Sequence, residues 1–148
     1  MNDLININDF KRELVLSLSG QSLEDLRDFI ESEGKKTVSD IFTDSDAFIN
    51  EIKSETPDSD YLEVWEVLKE ACLYFIYCDF LNFLGSMRKS GKYQDVISNS
   101  ELMDSYSSNT EINIKYNKGV TLFNKSIQIA AKNKLNPQPK YKTQRCVI

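Results

Sequence analysis

Residues 61–86, YLEVWEVLKEACLYFIYCDFLNFLGS, decide the fold, and eight residues in a row inside them, ACLYFIYC at 71–78, carry no charge. A membrane-spanning helix needs about 20 predominantly apolar residues. Glu70 and Asp79 bound the uncharged run well below that length. A helix that is apolar nearly all round is typical of one enclosed by neighbouring helices in a bundle. The stretch therefore predicts a buried central helix and no membrane span.

Amphipathic helix patterns flank this stretch, and strand patterns are scarce. Apolar residues at three-to-four spacing predict a short helix after Asn8 that ends at Gly20, and a second helix that runs from Ser22 to Gly34. A final helix is predicted from Thr110, with an apolar stripe at Ile112, Tyr116, Val120, Phe123, Ile127 and Ala130. We expect an all-α fold, a small helical bundle around one long central helix.

Chain length and composition predict a single folded unit followed by a tail. A chain of 148 residues can bury about two-thirds of its unfolded surface around one core. We expect one helical domain over residues 1–135, with a long Ser- and Asn-rich connection at 85–109. Residues 136–148, NPQPKYKTQRCVI, hold two prolines, basic residues and no acidic residue. This composition cannot build a core and predicts a basic, flexible C-terminal tail.

Charge is distributed unevenly along the chain. Residues 1–87 hold 7 Lys and Arg against 19 Asp and Glu, whereas residues 88–148 hold 11 against 4, within a net charge of -5. Solvated helix faces that happen to differ would explain this pattern. A protein with complementary faces would also explain it, and such faces suit head-to-tail self-association or contact with two unlike partners.

Several catalytic and ligand-binding classes are disfavoured by residue type alone. The chain contains no histidine, which removes Ser-His-Asp and Cys-His pairs and the commonest general base. It also lacks a Gly-rich phosphate loop of the required spacing. We therefore expect a protein that is not an enzyme, with no catalytic residue, cofactor or metal.

The central helix carries residues that could suggest chemistry, and each has a simpler interpretation. Cys72 and Cys78 are six residues apart, about 240° around a helix, so we expect two buried, inert thiols. A cluster of glutamates would need histidines to build a di-iron site, so we expect a solvated or interface face at Glu63, Glu66 and Glu70. Base stacking needs basic neighbours, so we expect core packing at Trp65, Tyr74, Phe75, Tyr77, Phe80 and Phe83.

The basic tail is the strongest candidate for a functional segment. Its cations could contact nucleic-acid phosphates, but a few spread charges on an acidic chain make a weak footprint. A protein partner with an acidic groove fits equally well, and the prolines favour an extended segment that orders on docking. The candidate partner-docking residues are Lys140, Tyr141, Lys142, Arg145, Val147 and Ile148.

The layout resembles a known family of viral proteins. An N-terminal helical hairpin, a long helix ending in YFIYCDFLNFL, a Ser- and Asn-rich connection and a final helix with a loose tail are similar to the head-to-tail connector (adaptor, or head completion) proteins of tailed bacteriophages. The Asn-, Ser-, Lys- and Ile-rich composition resembles that of an AT-rich genome such as that of a crAss-like phage. The resemblance covers roughly residues 8–135 and rests on architecture, with no motif matched residue by residue.

This resemblance implies a structural virion protein rather than a catalyst. Such proteins form a homo-oligomeric ring between the portal and the tail, extend the channel through which DNA passes without sequence-specific binding, and dock on the portal protein and on other tail or connector proteins. The implied location is the neck of the virion, after synthesis in the host cytoplasm. The start MNDLININDF has no secretory pattern. The alternative is a small phage regulatory or nucleic-acid-associated helical protein that acts through its basic tail.

Overall fold

The computed structural model describes residues 4–10, 20–89 and 109–147. These residues form a short 3₁₀ helix, η1 (Ile7–Asp9), and four α-helices: α1 (Gly20–Ser39), α2 (Ser45–Lys53), α3 (Ser59–Lys89) and α4 (Asn109–Lys132). The described part of the chain contains no strand, which confirms the all-α class. No helix in those ranges combines the length and the apolar composition that a membrane span requires.

Helix α3 is the axis of the bundle, as its sequence predicts. It packs most extensively against α4 and also against α1 and α2. Fully buried side chains recur on all sides of its central part, at Val64, Leu68, Ala71, Cys72, Ile76, Cys78 and Phe80. Polar positions lie mainly in its first three turns, where Glu63, Glu66 and Glu70 are exposed, as predicted for a solvated or interface face.

The crossing of α3 and α4 is tight at Gly119. A Cβ atom placed on Gly119 would lie 2.8 Å from Cε1 of Phe75 and 3.0 Å from Cβ of Tyr74. A glycine inside a helix costs roughly 1 kcal/mol relative to alanine. The close approach of the two helices explains why this position nevertheless has no side chain.

Helix α1 extends beyond both of the boundaries that the sequence predicts for it, Ser22 and Gly34. Ser22 does not open a helix, because α1 already includes Gly20, and Gly34 does not end one, because α1 continues to Ser39. Gly34 is buried and lies four residues from both Ile30 and Val38, so it continues the buried stripe of the helix. Residues 11–19, which carry most of the predicted first helix, lie outside the described residues.

Polar side chains cap the starts of η1, α2 and α3. Asn6 caps η1 and accepts a hydrogen bond from the Asn8 amide at 2.8 Å. Asp44 caps α2 by accepting a hydrogen bond from the Ala47 amide at 3.0 Å. Asp58 caps α3 by accepting a hydrogen bond from the Asp60 amide at 2.8 Å.

The connection between α3 and α4 is shorter than the predicted 85–109. Helix α3 continues to Lys89 and α4 begins at Asn109. Residues 85–89 include Met, Arg and Lys, which favour helix, and no proline, so Gly85 does not stop the helix. The remaining part, residues 90–108, lies outside the described residues.

Helix α4 ends in a turn that directs the chain back along the bundle. The amide of Leu135 donates to the carbonyl of Ala130 at 2.9 Å and that of Lys134 donates to Ala131 at 3.1 Å, the hydrogen-bond pair of a Schellman motif. Lys134 has φ 60° and Asn136 has φ 53°. These two left-handed residues, separated by Leu135, reverse the chain, and Pro137 restricts the backbone that follows.

Candidate functional site

The C-terminal tail lies against the body of the protein. Residues 135–147 contain no helix or strand, yet alternate amides of the tail donate to carbonyls at the end of α1. The Gln138 amide donates to Ile41 and the Lys140 amide donates to Asp40, both at 2.7 Å. This alternation is that of an extended chain. The composition of the tail predicts a flexible segment that is available to partners. In the structure the tail contacts its own chain.

Helix α4 holds the distal part of the tail through side-chain amides. Asn117 donates through Nδ2 to the carbonyl of Arg145 at 2.8 Å and accepts the Arg145 amide through Oδ1 at 2.7 Å. Flanking contacts join Gln144 to Thr121 at 3.3 Å and Asn113 to the Cys146 carbonyl at 3.3 Å. The tail therefore runs antiparallel to α4. We call the surface formed by Asp40, Ile41, Asn113, Asn117 and Thr121 the tail groove.

Lys142 is the most enclosed cation of the tail. Its Nζ lies 3.0 Å from Oδ2 of Asp40, and the two side chains are only 21% and 12% exposed. The same Nζ lies 5.0 Å and 5.2 Å from the ring centroids of Phe75 and Phe123. A carboxylate and two aromatic faces are all favourable neighbours for an ammonium group. The body therefore provides a specific slot for a lysine.

Arg145 occupies a second position, over an aromatic ring. Its guanidinium carbon lies 3.7 Å from the ring centroid of Tyr116, a stacking distance at which Arg binds aromatic faces well. Arg145 and Lys142 also line a cleft of about 160 Å³ whose other walls are Glu33, Lys36, Thr37, Asp40, Phe75, Asp79 and Tyr116. Tail cations and body carboxylates meet in this cleft, so the acidic and basic halves of the sequence are brought together within one chain.

The carboxyl of Asp79 has an altered proton affinity in this cleft. Burial, followed by the charge of Glu33 and a hydrogen bond with it, raises the pKa of Asp79 to about 6, while Arg145 and Lys36 oppose the shift. Two carboxyls that share a site cannot both ionise freely. Near neutral pH the carboxyl of Asp79 therefore holds a proton on part of the molecules.

The thiols of α3 are buried and unreactive, as the sequence predicts. Cys72 and Cys78 are both 0% exposed. Burial raises the pKa of the Cys72 thiol to about 12, and burial together with the Asp79 charge raises that of Cys78 to about 12. Thiolates, which are the nucleophilic form, are absent at neutral pH. The Cys78 Sγ lies 3.4 Å from the carbonyl oxygen of Ile112.

The six docking residues predicted in the tail divide into two sets. Lys142 and Arg145 contact the body, as described above, and of these two Lys142 is half-buried whereas Arg145 remains exposed. Lys140, Tyr141 and Val147 are exposed, Tyr141 to 76% and Val147 to 45%. Ile148 lies outside the described residues. The aromatic residues predicted as core packing are buried or half-buried on α3, which confirms that prediction.

Sequence reasoning missed the body residues that hold the tail, above all Asn117 and Asp40. Neither belongs to a recurrent motif, and Asp40 lies 102 positions before its partner Lys142. The one available signal is the contrast of charge between the two halves of the chain, which indicates attraction but names no pair.

In the ranges that the structure describes, no group of three His, Cys, Asp or Glu side chains is placed to hold a metal ion. Comparisons of the chain with protein-family models, with curated proteins and with solved structures give no match.

Proposed function

We propose that this protein is a non-catalytic assembly subunit of a virus particle, a head-to-tail connector that forms a ring between portal and tail. The observation that best supports this proposal is that residues of the tail differ in what they contact. Lys142 and Arg145 contact the body, whereas Tyr141 and Val147 are exposed. Exposed aromatic and aliphatic side chains on a fixed backbone are typical of interface anchors. The partners we propose are the portal protein and neighbouring tail or connector proteins, in the neck of the virion.

The distribution of charge supports an assembly role. Exposed acidic side chains are frequent on α1 and α3, including Glu31, Glu63 and Glu66, whereas exposed lysines such as Lys118 and Lys125 lie on α4. Unlike faces on one subunit favour heterologous contacts, which close into a ring when the rotation between subunits allows it. DNA would pass through such a ring without sequence-specific contacts.

A regulatory or nucleic-acid-associated role through the tail is less well supported. Lys142 and Arg145, two of the cations available for phosphate contacts, are already engaged by Asp40 and Tyr116. The remaining exposed cations near the tail, Lys132, Lys134 and Lys140, make a small electrostatic footprint.

Quantitative peptide mass spectrometry of purified virus particles tests the proposal. The expected result is a constant ratio of this protein to the portal protein of about one, as for stacked rings of matched symmetry. Particles assembled with Tyr141→Ala should retain less of the protein, whereas the control Gln128→Ala, at an exposed position of α4, should not change retention. Absence of the protein from particles, together with DNA binding that weakens steeply with salt, would support the regulatory role instead.

A further inference from the structure

The tail groove has the features of a binding site for an extended peptide. Asn117 contacts only main-chain atoms of residue 145, donating to its carbonyl and accepting its amide. The carbonyls of Asp40 and Ile41 likewise accept main-chain amides. Contacts of this type bind any extended segment, whatever its side chains. They provide affinity and fix the direction of the bound chain antiparallel to α4.

Specificity of the groove comes from two side-chain positions three residues apart. Asp40, Phe75 and Phe123 form the slot for Lys142. Tyr116 provides the platform for Arg145. The groove therefore selects a segment with the pattern Lys-x-x-Arg in extended conformation. The chain itself carries that segment, so every copy offers both the groove and its ligand.

The link between α4 and the tail is short and contains unusual backbone conformations. Lys134 and Asn136 both have positive φ, at 60° and 53°, and only asparagine of the two tolerates that region well. A change of φ at these residues would release the tail from its own body. Short hinges under strain favour the exchange of identical segments between copies. The exchanged form makes the same groove contacts as the closed form, so its energetic cost is small.

From the main-chain contacts of Asn117, the slot for Lys142 and the link at residues 134–136, we propose that the tail groove binds the tail of a second copy of this chain, linking successive subunits. The proposal deepens the proposed function, on which it rests for its biological role, by naming the subunit contact of the ring. Acidic Asp40, Glu33 and Asp79 on one copy face basic Lys142 and Arg145 of the next. A tethered tail has an effective concentration in the millimolar range, so exchange is expected in concentrated protein or within an assembly.

Disulfide trapping between two differently marked full-length chains tests the exchange. One chain carries Asn113→Cys with Cys146→Ser, and the other is the affinity-tagged natural sequence with its exposed Cys146. Asn113 Nδ2 lies 3.3 Å from the Cys146 carbonyl, so these positions join only when the tail of one chain occupies the groove of the other. The matched control chain, Gln128→Cys with Cys146→Ser, places its thiol about 22 Å further along α4. Asn113→Cys alone, with Cys146 retained, checks the register within one dilute chain.

The expected result is a mixed disulfide at least about fivefold more abundant than in the control mixture, increasing with protein concentration. A mixed disulfide at the control level at about 1 mM protein, while the single dilute chain still forms its internal disulfide, would overturn the exchange. If the dilute chain with Asn113→Cys and Cys146 formed no internal disulfide, this would contradict the claim that the tail occupies the tail groove at all. The composition of purified particles separates the two proposals. If the ratio of this protein to the portal protein is about one but no tail exchange is detected, the connector function is still supported and only the exchange is contradicted.

Discussion

The side chain of Asn117 binds the main chain of Arg145 at both its carbonyl and its amide, with donor–acceptor distances of 2.8 Å and 2.7 Å. An amide side chain is the residue type that can donate and accept in one plane. This single contact fixes the distal tail against α4, far from the turn at residues 133–136 where the tail begins. It turns a segment whose composition predicts flexibility into a positioned one.

Replacing Asn117 with alanine should loosen the distal tail. Two hydrogen bonds are lost, each of about 1 kcal/mol, so the population of the open form of the tail should increase at least about tenfold. Trypsin cleavage after Arg145 should accelerate by a similar factor when cleavage follows the opening equilibrium. Asn113→Ala, which removes one longer bond of 3.3 Å, is the control and should have a smaller effect. An unchanged cleavage rate in Asn117→Ala would show that this contact does not hold the tail.

Removing the charge of Lys142 should destabilise the whole fold, because Asp40 is left enclosed without its partner. Lys142→Met keeps a long side chain between Phe75 and Phe123 and should lower the free energy of unfolding by about 2 kcal/mol, the value of a hydrogen bond to a charged group. Urea denaturation measures this change in the free energy of unfolding. The double variant Lys142→Met with Asp40→Asn should recover part of the loss. Additive losses in the two single variants would contradict the pairing.

Helix positions and core residues were predictable to different degrees for physical reasons. The run at 71–78 predicts α3 because burial on all sides leaves a local signature in composition. The end of α1 was predicted wrongly, since Gly34 carries a helix-stop signal that packing against the core overrides. The tail groove was not predictable, because Asn117 and Asp40 act through contacts between residues distant in sequence, and no periodicity records such contacts.

Gly119→Ala should destabilise the protein although alanine favours helix. The added Cβ meets Phe75 at 2.8 Å and Tyr74 at 3.0 Å, and overpacking of this kind costs about 1–3 kcal/mol, against a gain in helix propensity of roughly 1 kcal/mol. Thermal unfolding should therefore show a lower midpoint. Gln128→Ala, on the exposed side of α4, is the control and should shift the midpoint little. A higher midpoint in Gly119→Ala would mean that the two helices separate easily.

Asp79 should make stability depend on pH in the mildly acidic range. Its pKa is about 6 in the folded protein against an ordinary value of 3.8, so the folded state binds more protons between these values and gains stability as pH falls through 6. Asp79→Asn lacks this gain. The difference in unfolding free energy between the natural chain and Asp79→Asn should grow in favour of the natural chain by about 1 kcal/mol from pH 7 to pH 5, after allowance for solvent screening.

Glu33→Gln is the control for the pH dependence, because Glu33 contributes to the raised pKa of Asp79 through its charge and its hydrogen bond. Glu33→Gln should therefore reduce the change in the free energy of unfolding between pH 7 and pH 5. Parallel stability curves for the natural chain and Asp79→Asn from pH 7 to pH 5 would contradict the shifted pKa.

Amide hydrogen exchange along the tail tests the central claim, that the tail occupies a built groove, most directly. In the full chain, the amides of Gln138, Lys140 and Arg145 should exchange at least about tenfold more slowly than the same amides in a synthetic peptide of residues 136–148. These three amides donate to Ile41, Asp40 and Asn117 at 2.7 Å. Exchange in the full chain at the rate of the free peptide would contradict the claim.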